Sequence, residues 1–448
     1  MKYTTLIILC ILPFFICDGV RVAINEKFID AVLRGFLPEI KKFADGTDLP
    51  DSGALDRLHF KIPNFSLDKV KLTFTDKGLL NLKIDGLSPE LSGRAKKKIF
   101  FVKVKKSFTI TLKNFYFNGN LRITHKLENG VLVPNIYFDS SPNINFKPKL
   151  SLGSSIIQKI LAGLLSGIAN LAKKFIMPAI KKQLSNLLEK VVAGLPKEIN
   201  IPVGGINYKL DVNLSESGIN LRNKFLEINS KARLYNPNNA LTKTKNFPNV
   251  YFPYLTTMGS QLQIYISENS ISSAIYTLLA SNNQEIKAKI KSSKLTKILS
   301  GSQFGEEVYI VFTGTPDVSL GITKDNLNIN LPGTLSLRTL NNQDFLKVDL
   351  KLQLKVKVSI QNGAKVTGVV NDLNLNINKL LFDKLSLNLS KVTEGLMEAK
   401  PELIPLINEF IDKKMKVTFP TVMGIQFTQL SLEHKDHYLQ INFNLVRN

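Results

Sequence analysis

The sequence of 448 residues contains no tryptophan, four histidines and two cysteines. Both cysteines, Cys10 and Cys17, lie in an apolar segment at the N-terminus, so no thiol occurs after residue 19. A disulfide framework and a cysteine-ligated metal site are therefore excluded from the rest of the chain. Its stability must come from buried apolar side chains, and about 430 residues are enough for two domains with their own cores.

Catalytic signatures are also missing from the sequence. It contains no GxSxG elbow, no P-loop and no GxGxxG fingerprint. One cluster of potential metal ligands exists, formed by Glu433, His434, Asp436 and His437. Because this cluster separates two alternating segments near the C-terminus, it predicts a polar hairpin turn in preference to a metal site. We therefore expect a protein that is not an enzyme and has no metal, disulfide or cofactor.

The N-terminal segment has the layout of a secretory signal peptide. Lys2 precedes an apolar run from Leu6 to Ile16, and the small residue Gly19 follows closely. The run is shorter than a bilayer span, which disfavours a membrane anchor. We expect a signal peptide over residues 1–19 and a secreted, extracellular protein. Three sequons are candidates for glycosylation, at Asn64, Asn213 and Asn388.

Positive charge is concentrated in the first half of the chain. The formal net charge is +23, and residues 1–250 contain 38 Lys and Arg against 19 Asp and Glu. Residues 251–448 contain 21 against 17. This asymmetry suggests that the first half meets an anionic partner. For a secreted protein, that partner is more plausibly a membrane or a glycolipid than a nucleic acid.

Seven of these cations fall within thirteen residues, interleaved with the apolar segment 99–102. They are Arg94, Lys96, Lys97, Lys98, Lys103, Lys105 and Lys106. A hairpin tip of this composition can engage phosphates while its apolar side chains enter an acyl layer, and each cation near an anionic surface contributes about 1 kcal/mol. The alternative interpretation is a solvated strand pair, or an edge strand that its lysines protect from aggregation.

The order of elements suggests one plan used twice. A helix that begins after Asn25 as N-cap is followed by alternating strands over 70–112, with turn signals at 76–78 and 118–120. A long apolar helix over 154–192 closes the first pass. In the second pass a helix over 267–280 precedes strands over 308–377. A final helix over 385–414 is interrupted at Pro401 and Pro405.

Residues 346–360 alternate between apolar and polar side chains without a break. The alternation predicts a strand of roughly 50 Å that is dry on one face, far longer than an ordinary strand. Such a face needs an apolar partner of similar length, and the helix over 154–192 is the candidate. Together they predict an elongated one-sided tube that can hold an elongated apolar guest, although ordinary core packing would use the same helix.

A change of composition marks a boundary between two domains. Residues 235–254 combine three prolines with five asparagines, which favours an extended connection. We therefore predict an N-terminal basic barrel over 20–234, a linker over 235–254 and a C-terminal barrel over 255–448. The alternating segment 416–447 is expected to pair with residues 206–214 in a sheet shared by both halves.

Five motifs, taken in order, resemble the family of bactericidal/permeability-increasing protein, lipopolysaccharide-binding protein and the plasma lipid-transfer proteins. The resemblance spans essentially all of the chain after residue 19. The motifs are GVRVAINEKFIDAV at 19–32, LSGRAKKKIFFVKVKKSFTITLKNF at 91–115, GGINYKLDV at 204–212, YFPYLTTMGSQLQIYISENSISSAIYTLLA at 251–280 and FPTVMGIQFTQLSLEHKDHYLQINFNLV at 419–446.

The resemblance implies an α+β fold, a boomerang of two tubular barrels. Each barrel would be a long twisted antiparallel sheet wrapped around a long helix, and a central β-sheet would join them. It further implies a phospholipid pocket on the concave face of each barrel and contact with anionic lipid or lipopolysaccharide at the N-terminal tip. The family usually ties its long helix to a strand by a disulfide, and this chain has Leu187 near the corresponding position.

These expectations define two sets of candidate residues. The anionic-lipid site comprises the seven cations of 94–106 together with Lys41 and Lys42. The N-terminal acyl pocket, chosen by helical face, comprises Phe28, Val32, Phe36, Ile160, Leu164 and Ile168. We expect a monomer that binds phospholipid and an anionic membrane or lipopolysaccharide and acts in antibacterial innate defence. Two alternatives stay open, a lipid carrier without a microbial role and a membrane-disrupting protein that acts through its amphipathic helix.

Overall fold

The computed structural model describes sixteen stretches of the chain: residues 19–35, 45–49, 55–99, 102–151, 198–203, 206–222, 224–245, 247, 252–255, 258–282, 285–291, 307–361, 365–384, 386–414, 417–418 and 425–447. They are mostly strands with few helices, and the sheets curl into half-barrels. The predicted signal peptide and the predicted helix over 154–192 lie outside the described residues, as do Lys41 and Lys42.

The elements of the first half follow one another in this order: β1 (Val20–Asn25), α1 (Glu26–Gly35), β2 (Thr47–Leu49), β3 (Leu55–Lys61), β4 (Val70–Phe74), β5 (Leu80–Leu87), β6 (Glu90–Ile99), β7 (Val102–Glu128), β8 (Val131–Phe138), β9 (Asn143–Ser151), β10 (Glu198–Val203), β11 (Ile206–Asp211), β12 (Leu214–Arg222), β13 (Phe225–Ser230) and β14 (Arg233–Tyr235). The predicted N-cap of α1 is confirmed, because Oδ1 of Asn25 accepts a hydrogen bond from the Phe28 amide at 3.1 Å.

An eight-stranded antiparallel sheet forms most of the first half. Its order is β2-β3-β6-β7-β5-β4, and β8 and β9 both pair with β7. One face is dry along the middle of β7, where Phe108, Ile110, Leu112 and Phe117 are all buried. The strands predicted around these residues and around 70–84 are therefore confirmed.

The turn predicted at 118–120 is wrong, because these residues lie inside β7. Local turn signals are overridden by contacts across the sheet. The Asn81 side-chain amide donates to Oδ1 of Asn118 at 2.6 Å and to Oδ1 of Asn120 at 2.8 Å. Gly119 lies against Phe138, where an added Cβ would be only 2.9 Å from the ring. Gly119 therefore marks a site of close packing inside a strand and not a reversal of the chain.

The second half has these elements: α2 (Ala240–Thr244), β15 (Leu262–Ser267), α3 (Glu268–Asn282), β16 (Glu285–Lys291), β17 (Glu307–Gly314), β18 (Ser319–Ile322), β19 (Leu327–Arg338), β20 (Asp344–Gln361), β21 (Lys365–Asp383), α4 (Leu389–Glu398), α5 (Lys400–Lys414), β22 (Val417–Thr418), β23 (Ile425–Lys435) and β24 (Tyr438–Arg447). The segment predicted to be an extended connection includes the short helix α2. Asn239 caps it through a hydrogen bond from the Leu241 amide at 3.1 Å, so an asparagine-rich segment here begins a helix.

A seven-stranded sheet of order β16-β17-β19-β20-β21-β22, with β18 on β19, forms the second half-barrel. The predicted alternation of β20 is confirmed. Its apolar side chains from Leu346 to Val356 are buried, whereas Lys355 and Lys357 are exposed. The helices α4 and α5 pack Val392, Leu396 and neighbouring side chains into the same apolar cluster.

The closing helix is interrupted at Ala399 and not at the predicted positions Pro401 and Pro405. Ala399 separates α4 from α5, and the helix resumes at Lys400. Pro401 is the second residue of α5, where no intrahelical amide bond is needed, while α5 continues through Pro405. Among the described residues no helix is long and apolar enough to cross a bilayer.

A six-stranded sheet of order β12-β13-β1-β15-β24-β23 joins strands from both halves. The shared sheet is therefore confirmed, but the predicted partner of the last strands is wrong. Strand β24 pairs with β15, while β11 belongs to a separate sheet of order β10-β11-β14. The match of apolar side chains decides the pairing, because β15 sets Ile264 opposite Ile441 and Leu262 opposite Phe443, and all four are buried.

Candidate functional site

The cation-rich segment forms a hairpin of β6 and β7, as predicted. The two strands are in register to their ends, with Ile99 opposite Val102. Residues directly opposite each other share a face, and faces alternate along each strand. The register therefore places Arg94, Lys96, Lys98, Lys103 and Lys105 on one face. It places Lys97 and Lys106 on the other face, together with Ala95, Ile99, Val102 and Val104.

Two like-charged pairs lie directly across this hairpin. Lys96 is opposite Lys105, and Lys98 is opposite Lys103. Like charges at directly opposed positions destabilise a strand pair. An anion held between such positions would remove the repulsion, so the register favours a negatively charged partner on this face.

The same face continues down β7 into β9, which sequence reasoning missed. Lys113 is opposite Lys147, and Thr111 is opposite Lys149. All three lysines are exposed, and in the described residues none of them has a carboxylate within 4.0 Å. Lys113 lies ten residues from Lys103, roughly 33 Å along the strand. The signal was available, since Lys103, Lys105 and Lys113 are in phase at a period of two.

We call this set the cationic face: Arg94, Lys96, Lys98, Lys103, Lys105, Lys113, Lys147 and Lys149. Two acidic residues lie in its register: Asp56 of β3 is opposite Arg94, and Glu90 is opposite Thr111. The Glu90 carboxylate is held by Lys61, with Oε2 3.1 Å from Nζ. The cationic face thus has a net positive charge over a length of about ten residues of β7.

The predicted acyl-pocket residues fall into three groups. Phe28 is buried, and its cluster is that of the central sheet, including Val22, Leu210 and Phe443. Val32 lies in α1, and the structure describes only its backbone. Phe36, Ile160, Leu164 and Ile168 lie outside the described residues, so the grouping of these positions around a pocket stays a prediction.

The three sequon asparagines have different surroundings. Asn64 is exposed in a turn, with φ at 58°. Asn388 is exposed and caps α4, its Oδ1 accepting a hydrogen bond from the Lys391 amide at 2.9 Å. Asn213 is half-buried, and its Nδ2 donates to Oδ1 of Asp211 at 2.5 Å. Asn64 and Asn388 are therefore the more accessible candidates for glycosylation.

The cluster at 433–437 forms the predicted hairpin turn between β23 and β24. Its two histidines have separate partners. The ring of His437 lies 3.0 Å from Oε1 of Glu268 through Nδ1, and Nε2 of His434 lies 2.9 Å from the Val358 carbonyl oxygen. Among the described residues, no group of three potential ligands is placed to hold a metal ion.

A buried charge cluster attaches the segment 252–255 to the central sheet. The Glu227 carboxylate is nearly inaccessible and lies 3.1 Å from Nε of Arg222 and 3.8 Å from Nη1 of Arg21. Arg21 also donates to the Pro253 carbonyl at 2.6 Å, with its guanidinium 5.0 Å from the Phe252 ring centroid. Burial lowers the pKa of Arg21, and the charge of Glu227 opposes that shift. These contacts hold Phe252 and Pro253 against the central sheet.

Comparisons with known proteins find similar structures only. No family model matches the chain, and no curated protein matches its sequence. The chain is similar to a crystal structure of lipopolysaccharide binding protein, with 14% identity over 96% of this chain and 100% of that one and a TM-score of 0.49. It is also similar to Epiphyas postvittana Takeout 1, with 16% identity over 37% of this chain and 92% of that one and a TM-score of 0.24.

Proposed function

We propose that this chain is a secreted, non-enzymatic lipid-binding protein that attaches to anionic lipid surfaces through the cationic face. The observation that carries the proposal is the register of β6 and β7, which stacks lysine on lysine at two successive opposed positions. The exposed lysines of β7 and β9 extend the same charge away from the hairpin end.

The energetics favour a charged membrane as the partner. Each Lys or Arg near an anionic leaflet contributes about 1 kcal/mol, so eight cations supply several kcal/mol even when only some of them engage. The attraction falls off over about 8 Å at physiological ionic strength, so binding should weaken strongly with salt. Lipopolysaccharide offers the same phosphate chemistry on a bacterial surface, and a role in innate defence belongs to this proposal.

The test is a pair of charge reversals that differ only in the face they alter. Lys96→Glu with Lys98→Glu changes the cationic face, and Lys97→Glu with Lys106→Glu changes the opposite face by the same net charge. Phosphatidylglycerol vesicles at low salt should bind the first variant at least about tenfold more weakly than the second, since four unit changes act at the surface. Equal binding of both variants would show that only the net charge matters and would contradict the proposal.

The second candidate function is carriage of an apolar guest. It is supported by the unbroken apolar face of β20 and by the dry face of β7, each on a curled sheet. Native mass spectrometry after gentle purification would detect bound phospholipid in stoichiometric amounts, and its complete absence would count against a carrier. A membrane-disrupting role depends on residues 154–192, outside the described residues, and has no supporting observation.

A further inference from the structure

A cavity of about 640 Å³ lies where the second half-barrel meets the central sheet. Its volume is in the range of small-molecule sites. Three elements of the half-barrel form one wall: the β18–β19 turn, the end of β20 and Asn371 of β21. Strand β23 forms the other wall. The lining residues are Lys324, Asp325, Asn326, Lys357, Val358, Ser359, Ile360, Asn371, Leu430, Ser431, Leu432 and His434.

Hydrogen bonds hold both walls in place. His434 lies with Nε2 2.9 Å from the Val358 carbonyl oxygen, so its ring joins β23 to β20. The β18–β19 turn is closed by the Thr323 amide, which donates to the Asn326 carbonyl at 2.9 Å. The Asn371 side chain approaches Oδ1 of Asn326 at 3.5 Å. The cavity is thus bounded by defined contacts on each side.

The lining combines four apolar side chains with polar groups and a cationic rim. Val358, Ile360, Leu430 and Leu432 are half-buried and belong to the two large apolar clusters that meet here. Lys324 and Lys357 are exposed, and in the part of the chain that the structure describes neither has a carboxylate within 4.0 Å. Asp325 is the one acidic residue of the lining, which leaves the rim with a net positive charge.

Neighbouring acids do not neutralise this rim. The Asp372 carboxylate, one residue beyond Asn371, is held by Lys400 at 2.7 Å and by Lys355 at 3.6 Å. The cavity is also separate from the helix-covered face of the half-barrel, because no residue of α4 or α5 is among those that line it.

We propose that this cavity binds an amphiphile with one anionic head group, a carboxylate or a phosphate ester. The head lies between Lys324 and Lys357, and the apolar stem lies against the apolar side chains of β20 and β23. The site is distinct from the cationic face, which lies on the sheet of the first half. Occupancy would join the half-barrel to the central sheet through the ligand.

The test uses the full chain with methyl-labelled leucine, titrated with decanoate, decyl phosphate, decanol and inorganic phosphate. Decanoate and decyl phosphate should shift the methyl resonances of Leu430 and Leu432. Decanol lacks the charge and should bind at least about tenfold more weakly. Inorganic phosphate alone should leave them unchanged. Equal binding of decanol, or an equal response to free phosphate, would overturn the assignment of an anionic amphiphile.

Paired variants locate the head group. Lys324→Met with Lys357→Met should weaken decanoate binding about tenfold, since two ion pairs are lost. Lys347→Met with Lys351→Met removes the same charge from β20 outside the cavity and should have no effect. Both variants should bind phosphatidylglycerol vesicles like the parent, because neither changes the cationic face. A defect in vesicle binding is therefore distinguished from a defect in decanoate binding. Unchanged decanoate affinity in the first variant would overturn the proposal.

Discussion

Glu227→Gln is expected to destabilise the central sheet. The Glu227 side chain is 2% exposed and Arg21 is 12% exposed, so the substitution leaves a buried guanidinium without its counter-charge. Removing one partner of a buried ion pair typically costs 3–5 kcal/mol. Arg222 is 35% exposed and can be hydrated when its partner is lost. We therefore expect a loss of about 3 kcal/mol, the lower end of that range.

The assay is denaturant unfolding followed by far-ultraviolet circular dichroism, because the chain has no tryptophan to report by fluorescence. Glu128→Gln is the matched control. Its carboxylate lies 3.6 Å from Nζ of Lys126, but both side chains are more than half exposed, so the loss should stay below about 1 kcal/mol. Glu227→Gln within about 0.5 kcal/mol of the parent would refute the view that the buried ion pair stabilises the central sheet.

Three further predictions concern packing and charge. Gly119→Val should destabilise the first half-barrel by about 1–3 kcal/mol, because its side chain would meet the Phe138 ring, and thermal unfolding would measure it. Leu350→Ala should cost about 2–5 kcal/mol in a fully buried position, whereas Lys351→Ala on the polar face should be nearly neutral. The hydrogen bond from Lys400 holds the pKa of Asp372 below its ordinary value. The ionised carboxylate therefore stabilises the fold above that ordinary pKa, and this stabilisation is lost as the pH falls through the lowered pKa. Carboxyl NMR titration of Lys400→Met should show the Asp372 pKa rising, and an unchanged value would contradict the assigned cause.

The strands with strict alternation could be predicted from sequence because one period determines both their length and their dry face. Strand β20 has the predicted alternation, and its apolar set from Leu346 onward is buried. The helix α1 could be predicted for a similar local reason, since Asn25 caps it. In each case the decisive interaction is close in sequence or repeats along one element.

The parts that sequence missed depend on residues far apart in the chain. Several strands alternate equally well, so only the fit of Ile264 to Ile441 selects β15 as the neighbour of β24. The turn signal at Gly119 is overridden by Phe138, nineteen residues away. The cavity at the barrel junction requires Lys324, Lys357 and Leu432 to converge from three elements, and no spacing in the sequence encodes that meeting.

The most direct test of the cationic face is a single fluorescent label, which the secreted chain permits because both cysteines, Cys10 and Cys17, lie in the expected signal peptide. An environment-sensitive dye would be attached at Ser107→Cys, an exposed position on the cationic face, or at Asn376→Cys, an exposed position of the second half-barrel. Phosphatidylglycerol vesicles should shift the emission at position 107 to the blue, reversibly with salt, and leave position 376 unchanged. An equal shift at both positions, or a shift at 376 alone, would contradict the account.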